Sequence, residues 1–185
     1  MNVLLTSSGL ESKAVENAFL GMLTKDVSEV RALFIPTAAN DVDAIMVLPK
    51  CLEDLLNCGI KNIHVYDLHY ILEMDLYDIY DVIYICGGST KYLINRINEI
   101  GFGEKIKKFI DKGGIVIGVS AGAIALADNY IDGIRVIPYH IEVHVDRGHN
   151  YLAGTYLDSA IKDGVISLSN GQALIHYVGE YKIFG

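Results

Sequence analysis

"GGIVIGVSAGAIAL", residues 113–126, is the stretch on which the fold turns. Its first part, "GGIVIGVS" (113–120), is apolar throughout, as expected of a central parallel strand buried on both faces. The following "AGAIAL" reads as a short helix, and Ser120 stands at the turn between them. A residue there lies at the carboxyl end of a strand, where open α/β sheets place their sites. So tight a turn demands small neighbours. Gly118, Ala121 and Gly122 supply them, completing a G-x-S-x-G pattern. The helix N-terminus adds unpaired N–H groups and partial positive charge, which suit a developing oxyanion. The same pattern also fits a serine that only caps the helix.

Outward from this stretch, apolar runs alternate with amphipathic ones. Strands are expected at 2–7, at 31–39 (stopped by Pro36), at 62–68 and at 81–88. Helices are expected at 12–24, 43–59, 90–100 and 103–111, with Pro49 predicting a kink or a late start in the second. Strands separated by helices imply right-handed crossovers. The fold class is therefore α/β: a doubly wound, mostly parallel sheet with helices on both faces. After residue 128 the signal changes to extra short strands in the C-terminal third: "GIRVIPYHIEVHVD", "GVISLS", "ALIHYVG" and "YKIFG". No linker or repeat interrupts the chain, so residues 1–185 read as a single domain.

Composition excludes several function classes. A formal charge of −8 is the wrong sign for a nucleic-acid binder. The N-terminus has no cationic region of the secretory type, and no apolar run approaches the ~20 residues that span a bilayer. A cytoplasmic protein with no membrane partner is expected. Three cysteines without a C-x-x-C pair make neither a disulfide framework nor a zinc site, so no metal or cofactor is expected. Cys51 and Cys58, seven apart, share a helix face and read as buried thiols.

A second motif, "CGGST" (86–90), ends the fourth strand. Paired glycines let a backbone N–H approach a ligand. Gly88 N–H and Ala121 N–H would together form an oxyanion hole. The alternative is a tight turn with Ser89 or Thr90 capping the next helix. A serine nucleophile needs a base, for which histidine is the usual choice. His64 and His176 sit inside apolar strand patterns and read as structural. In "YHIEVHVD" (139–146) strict alternation puts His140, Glu142, His144 and Asp146 on one face, so either His140 or His144 can serve.

The ordered set "FIPTAAN" (34–40), "YICGGSTKYL" (84–93), "GGIVIGVSAGAI" (113–124), "IDGIRVIPYHIEVHVD" (131–146) and "SNGQAL" (169–174) resembles the peptidase E family, which groups aspartyl dipeptidases with cyanophycinases. The resemblance implies a class I glutamine amidotransferase-like fold with serine in place of cysteine. It implies Ser120 as nucleophile, His144 (six residues after Pro138) as general base, and Gly88 in the oxyanion hole. The family usually has Asn where this chain has Ser89, a candidate substrate contact. The segment between nucleophile and histidine is short. Asp128, which directly follows the nucleophile helix, is the expected acid, with Asp132 and Glu142 as alternatives. "DRGHNYLAGTYLD" offers only Arg147 to hold an acidic substrate side chain.

These readings give a serine peptidase-like hydrolase of the dipeptidase type, working through an acyl-enzyme on small peptides. A catalytically silent member that binds a small ligand or protein partner, and an amidase or esterase on the same site, remain open alternatives. Free sheet edges leave room for a homodimer.

Overall fold

The computed structural model of the protein describes residues 1–145, 155–156 and 164–185. Its strands are β1 (Asn2–Thr6), β2 (Arg31–Ile35), β3 (Asn62–Val65), β4 (Val82–Ile85), β5 (Ile115–Val119), β6 (His140–Glu142), β7 (Thr155–Tyr156), β8 (Val165–Ser167), β9 (Ala173–Tyr177) and β10 (Glu180–Phe184). The helices are α1 (Lys13–Leu20), α2 (Val42–Asn57), α3 (Thr90–Glu99), α4 (Phe102–Asp111) and α5 (Ala121–Leu126).

Eight strands form one sheet in the order β3-β2-β4-β5-β1-β9-β10-β7. The first five are mutually parallel, and β9 joins β1 antiparallel. The doubly wound α/β architecture is as the sequence predicts, extra short strands included. β6 and β8 stand apart as a small parallel pair.

Both faces of the sheet are covered, because side chains alternate along each buried strand. On β1, Val3 and Leu5 join the core that packs against α3, α4 and α5, whereas Leu4 joins the core under α1 and α2. On β4, Ile83 and Ile85 take the first side, and Val82 and Tyr84 take the second. Cys51 and Cys58 are buried in the second core, as their spacing predicts, and so is Cys86. Burial pushes the Cys58 thiol up to about 12.

Register brings three loops together. Thr6 of β1 lies opposite Val119 of β5, and Ile85 of β4 lies opposite Gly118. Ser7, Ser120 and the Cys86–Gly88 turn therefore leave the sheet side by side. Since β9 runs against β1 with Ala173 opposite Thr6, the residues entering β9 arrive at the same edge.

Several boundaries differ from the expected ones. β2 and β3 stop at Ile35 and Val65, since Pro36 ends one and β3 is a short edge strand. α2 starts at Val42, ahead of Pro49, because the Asp41 carboxylate accepts the Ala44 N–H and caps it. Pro49 sits on the exposed side, where water can reach the carbonyl it leaves unpaired. No helix among the described residues is long and apolar enough to cross a membrane.

Candidate active site

Ser120 has φ 49° and ψ −106°, a strained conformation for a residue with a side chain. The turn is held by Ser120 N–H donating to Thr6 C=O at 2.9 Å and by steric necessity on both sides. A Cβ on Gly118 would lie 2.7 Å from the Gly122 backbone, and one on Gly122 would lie 2.5 Å from the Ile85 carbonyl oxygen. Each glycine of G-x-S-x-G thus fills a place no larger residue can. The Ser120 hydroxyl makes no capping bond to α5. It points instead to His144, with Oγ 2.9 Å from Nε2.

His144 reaches that position by leaving strand geometry. β6 ends at Glu142, and His144 has φ 59°, so the alternation expected through residue 146 breaks here. The Ser7 hydroxyl, fully buried at the end of β1, accepts the His144 backbone N–H at 2.6 Å and anchors this turn. Val145 N–H and Leu168 N–H tie the flanking backbone to the β8 side, donating to Leu168 C=O and Glu142 C=O. His140, the other candidate, meets Asn129.

The partner of His144 Nδ1 is Asn170, with Oδ1 at 2.9 Å. The same oxygen accepts the Ser7 hydroxyl at 3.3 Å, and Ser7 Oγ lies 3.4 Å from Nδ1. One proton arrangement satisfies every group. Nδ1–H and Ser7 O–H donate to Asn170 Oδ1, the His144 N–H donates to Ser7, and Nε2 is left to accept from Ser120.

Asp128 does not occupy this position. Its carboxylate pairs with the Arg135 guanidinium at the half-exposed surface, and its backbone N–H donates to Tyr139 C=O. Nearness to the nucleophile helix in sequence does not carry it to His144, because α5 leads away from the site. The Ser89 hydroxyl accepts the Tyr92 N–H at 3.4 Å as the cap of α3, the capping role weighed for it. Arg147 and His149 lie outside the described residues. His64 pairs with the Tyr80 hydroxyl, and His176 faces the Met1 carbonyl at 2.7 Å.

Gly88 adopts φ 136°, and a Cβ there would strike the Ala38 carbonyl oxygen at 2.1 Å. Neither Gly88 N–H nor Ala121 N–H donates to another group among the described residues. Among the described residues both are thus unspent donors, Gly88 on the turn after β4 and Ala121 next to Ser120 on its own turn. A cleft of about 380 Å³ opens here, lined by Gly87, Gly88, Ser120 and His144 on one side and by α2 on the other.

The loop leaving β1 is braced from below. Asp54 of α2 accepts Leu10 N–H at 3.0 Å and the Tyr84 hydroxyl at 2.6 Å. Burial pushes its carboxyl up, against those two hydrogen bonds. Burial also opposes ionisation of Glu11 at the cleft edge, but the Lys50 ammonium and the Ser8 hydroxyl outweigh it and hold Glu11 below the usual carboxylate range. Among the described residues, no group of three or more His, Cys, Asp or Glu is placed to hold a metal ion.

Ser7 and Asn170 are the two residues of this network that sequence reasoning missed. Ser7 ends the strand expected at 2–7 and Asn170 lies in "SNGQAL", which carries the family resemblance, but nothing local marks either as a partner of His144.

A serine at a strand-to-helix turn with a histidine at hydrogen-bond distance thus stands at the carboxyl end of the sheet of a doubly wound α/β domain. The chain belongs to peptidase family S51, whose sequence model matches residues 3–137. That match includes Gly88 and Ser120 and stops before His144 and Asn170. A Listeria monocytogenes EGD-e protein assigned as a peptidase E has the same fold, with a TM-score of 0.72 at 20% identity over 98% of this chain and 96% of that one. A peptidase from an acI-B1 Actinobacterium has a TM-score of 0.67 at 18% identity over 100% of this chain and 87% of the other. No curated protein sequence matches the chain. Family membership makes the protein a peptidase-type hydrolase.

Proposed function

We propose that the protein is a serine peptidase that hydrolyses small peptides through an acyl-enzyme, with Ser120 as nucleophile and His144 as general base. The observation that carries the reading is the 2.9 Å approach of Ser120 Oγ to His144 Nε2 at a strained strand-to-helix turn.

In the acylation step Ser120 Oγ attacks the scissile carbonyl carbon as its proton passes to Nε2. The carbonyl π pair moves to oxygen, where Gly88 N–H and Ala121 N–H receive the negative charge. Collapse of this intermediate breaks the C–N bond, and His144 returns the proton to the departing amine. Water then attacks the Ser120 ester with His144 again as base, releasing the acid and restoring the serine. Asn170 takes the place of the acidic third member: its Oδ1 keeps the proton on Nδ1 and Nε2 basic. A neutral amide orients the ring as a carboxylate does but adds no charge to stabilise the imidazolium.

Turnover of a dipeptide panel tests the reading. The wild-type chain is expected to release free amino acids, and Ser120→Ala to abolish release while unfolding at an unchanged or higher denaturant midpoint. Equal turnover by Ser120→Ala would refute it.

A further inference from the structure

Resting on Ser120 as the nucleophile, we propose that the cleft beside it is a subsite for an apolar side chain, so that preferred peptides carry a leucine-, valine- or methionine-sized residue on the acyl side of the scissile bond. Ala44, Val47, Leu48 and Cys51 fall at i, i+3, i+4 and i+7 of α2, which makes them one stripe of the helix. All four line the cleft.

Along the stripe, burial is greatest at Cys51 and least at Val47, with Ala44 partly covered. Cys51 is buried in the core, Leu48 is partly covered, and Val47 is 50% exposed. The apolar face therefore extends from the core into the same cleft that Ser120 and Val119 line. No protein group among the described residues covers it. A substrate side chain that enters the cleft removes this surface, and its own, from water.

The charges at the edge sharpen the selection. Asp43 and Glu11 line the cleft and repel a carboxylate. Lys50, the one cation lining it among the described residues, is held in an ion pair by Glu11. An aspartyl side chain entering here would be desolvated beside two like charges and find no uncommitted cation among the described residues, a costly placement.

Kinetics on the dipeptides Leu-Ala, Ala-Ala and Asp-Ala, run beside fluorophosphonate labelling of Ser120, test the proposal. Burial of a leucyl side chain predicts kcat/KM about tenfold to a hundredfold above the alanyl substrate, and the aspartyl substrate slowest. Val47→Arg, at a half-exposed helix position, adds a cation to the cleft and offsets the charge of Asp43, and is expected to lower the leucyl-to-aspartyl ratio at least tenfold. A labelled Ser120 with aspartyl preferred, or with leucyl and alanyl equal, overturns the subsite and leaves the nucleophile standing. Absence of labelling and of all turnover overturns the serine peptidase reading, and the subsite with it.

Discussion

Replacing Asn170 probes the least familiar part of the site, and the structure sets the size of the effect. Asn170→Ala removes the acceptor 2.9 Å from His144 Nδ1. Had this been the sole group holding the Nδ1–H tautomer, the loss would approach the ~10⁴-fold seen when such an orienting bond presents the wrong tautomer. Ser7 Oγ, however, lies 3.4 Å from Nδ1 and has a lone pair to spare, so it takes over the proton. What is lost is one hydrogen bond that becomes charge-assisted as the imidazolium forms, about 1.5–3 kcal/mol, or roughly tenfold to a hundredfold in rate. Asn170→Asp keeps the acceptor and adds a charge about 4 Å from the ring, contributing ~1 kcal/mol in this exposed setting and at most ~4 kcal/mol at lower effective dielectric. That variant is expected to react several-fold faster. The assay is the second-order rate constant for fluorophosphonate labelling, which needs no prior choice of substrate. Asn170 does not line the cleft, so with peptides the change should fall on kcat and leave KM near its original value. An unchanged rate in Asn170→Ala, or a slower one in Asn170→Asp, refutes the orienting role. In the double variant with Ser7→Ala the tautomer loses both acceptors, and the loss should exceed the sum of the two singles.

Two other perturbations test the scaffold. Gly122→Ala gains ~1 kcal/mol of helix propensity, but its methyl would sit 2.5 Å from the Ile85 carbonyl oxygen, a clash costing about 1–3 kcal/mol. Urea denaturation should show net destabilisation, and labelling of Ser120 should slow as α5 is pushed off the turn. For Asp54 the raised carboxyl means that the native state holds its proton more tightly than the unfolded chain does. Its contribution is therefore favourable at low pH and lost as pH rises above the ordinary value of 3.8 through the folded-state value. The stability of Asp54→Asn relative to wild type should accordingly improve as pH rises from 4 to 7, measured by denaturant midpoints at each pH. A relative stability that declines over that range would contradict the sign.

What could be read from the sequence was what local sterics decide. Gly118 and Gly122 mark the Ser120 turn because a Cβ at either place meets backbone, and the apolar run before them places that turn at a sheet edge. His144 was reached through the family resemblance. Strand alternation alone ranked it with His140, and that alternation ends at Glu142, two residues before the histidine turns into the site with φ 59°. Asn170 was beyond local reading. It arrives because β9 pairs antiparallel with β1, Ala173 opposite Thr6, a contact across most of the chain. Asp128 was favoured by closeness in sequence, but Arg135 claims its carboxylate at the surface. Pro49 argued for a late start to α2, and a strong cap at Asp41 with an exposed proline overrode it.

The most direct test of the central claim is peptide mapping of the fluorophosphonate adduct on the folded wild-type chain and on His144→Ala. The account predicts a single adduct on Ser120, with labelling at least a hundredfold slower when the base at 2.9 Å is removed. An adduct on another residue, or labelling of Ser120 that His144→Ala leaves unchanged, would contradict it.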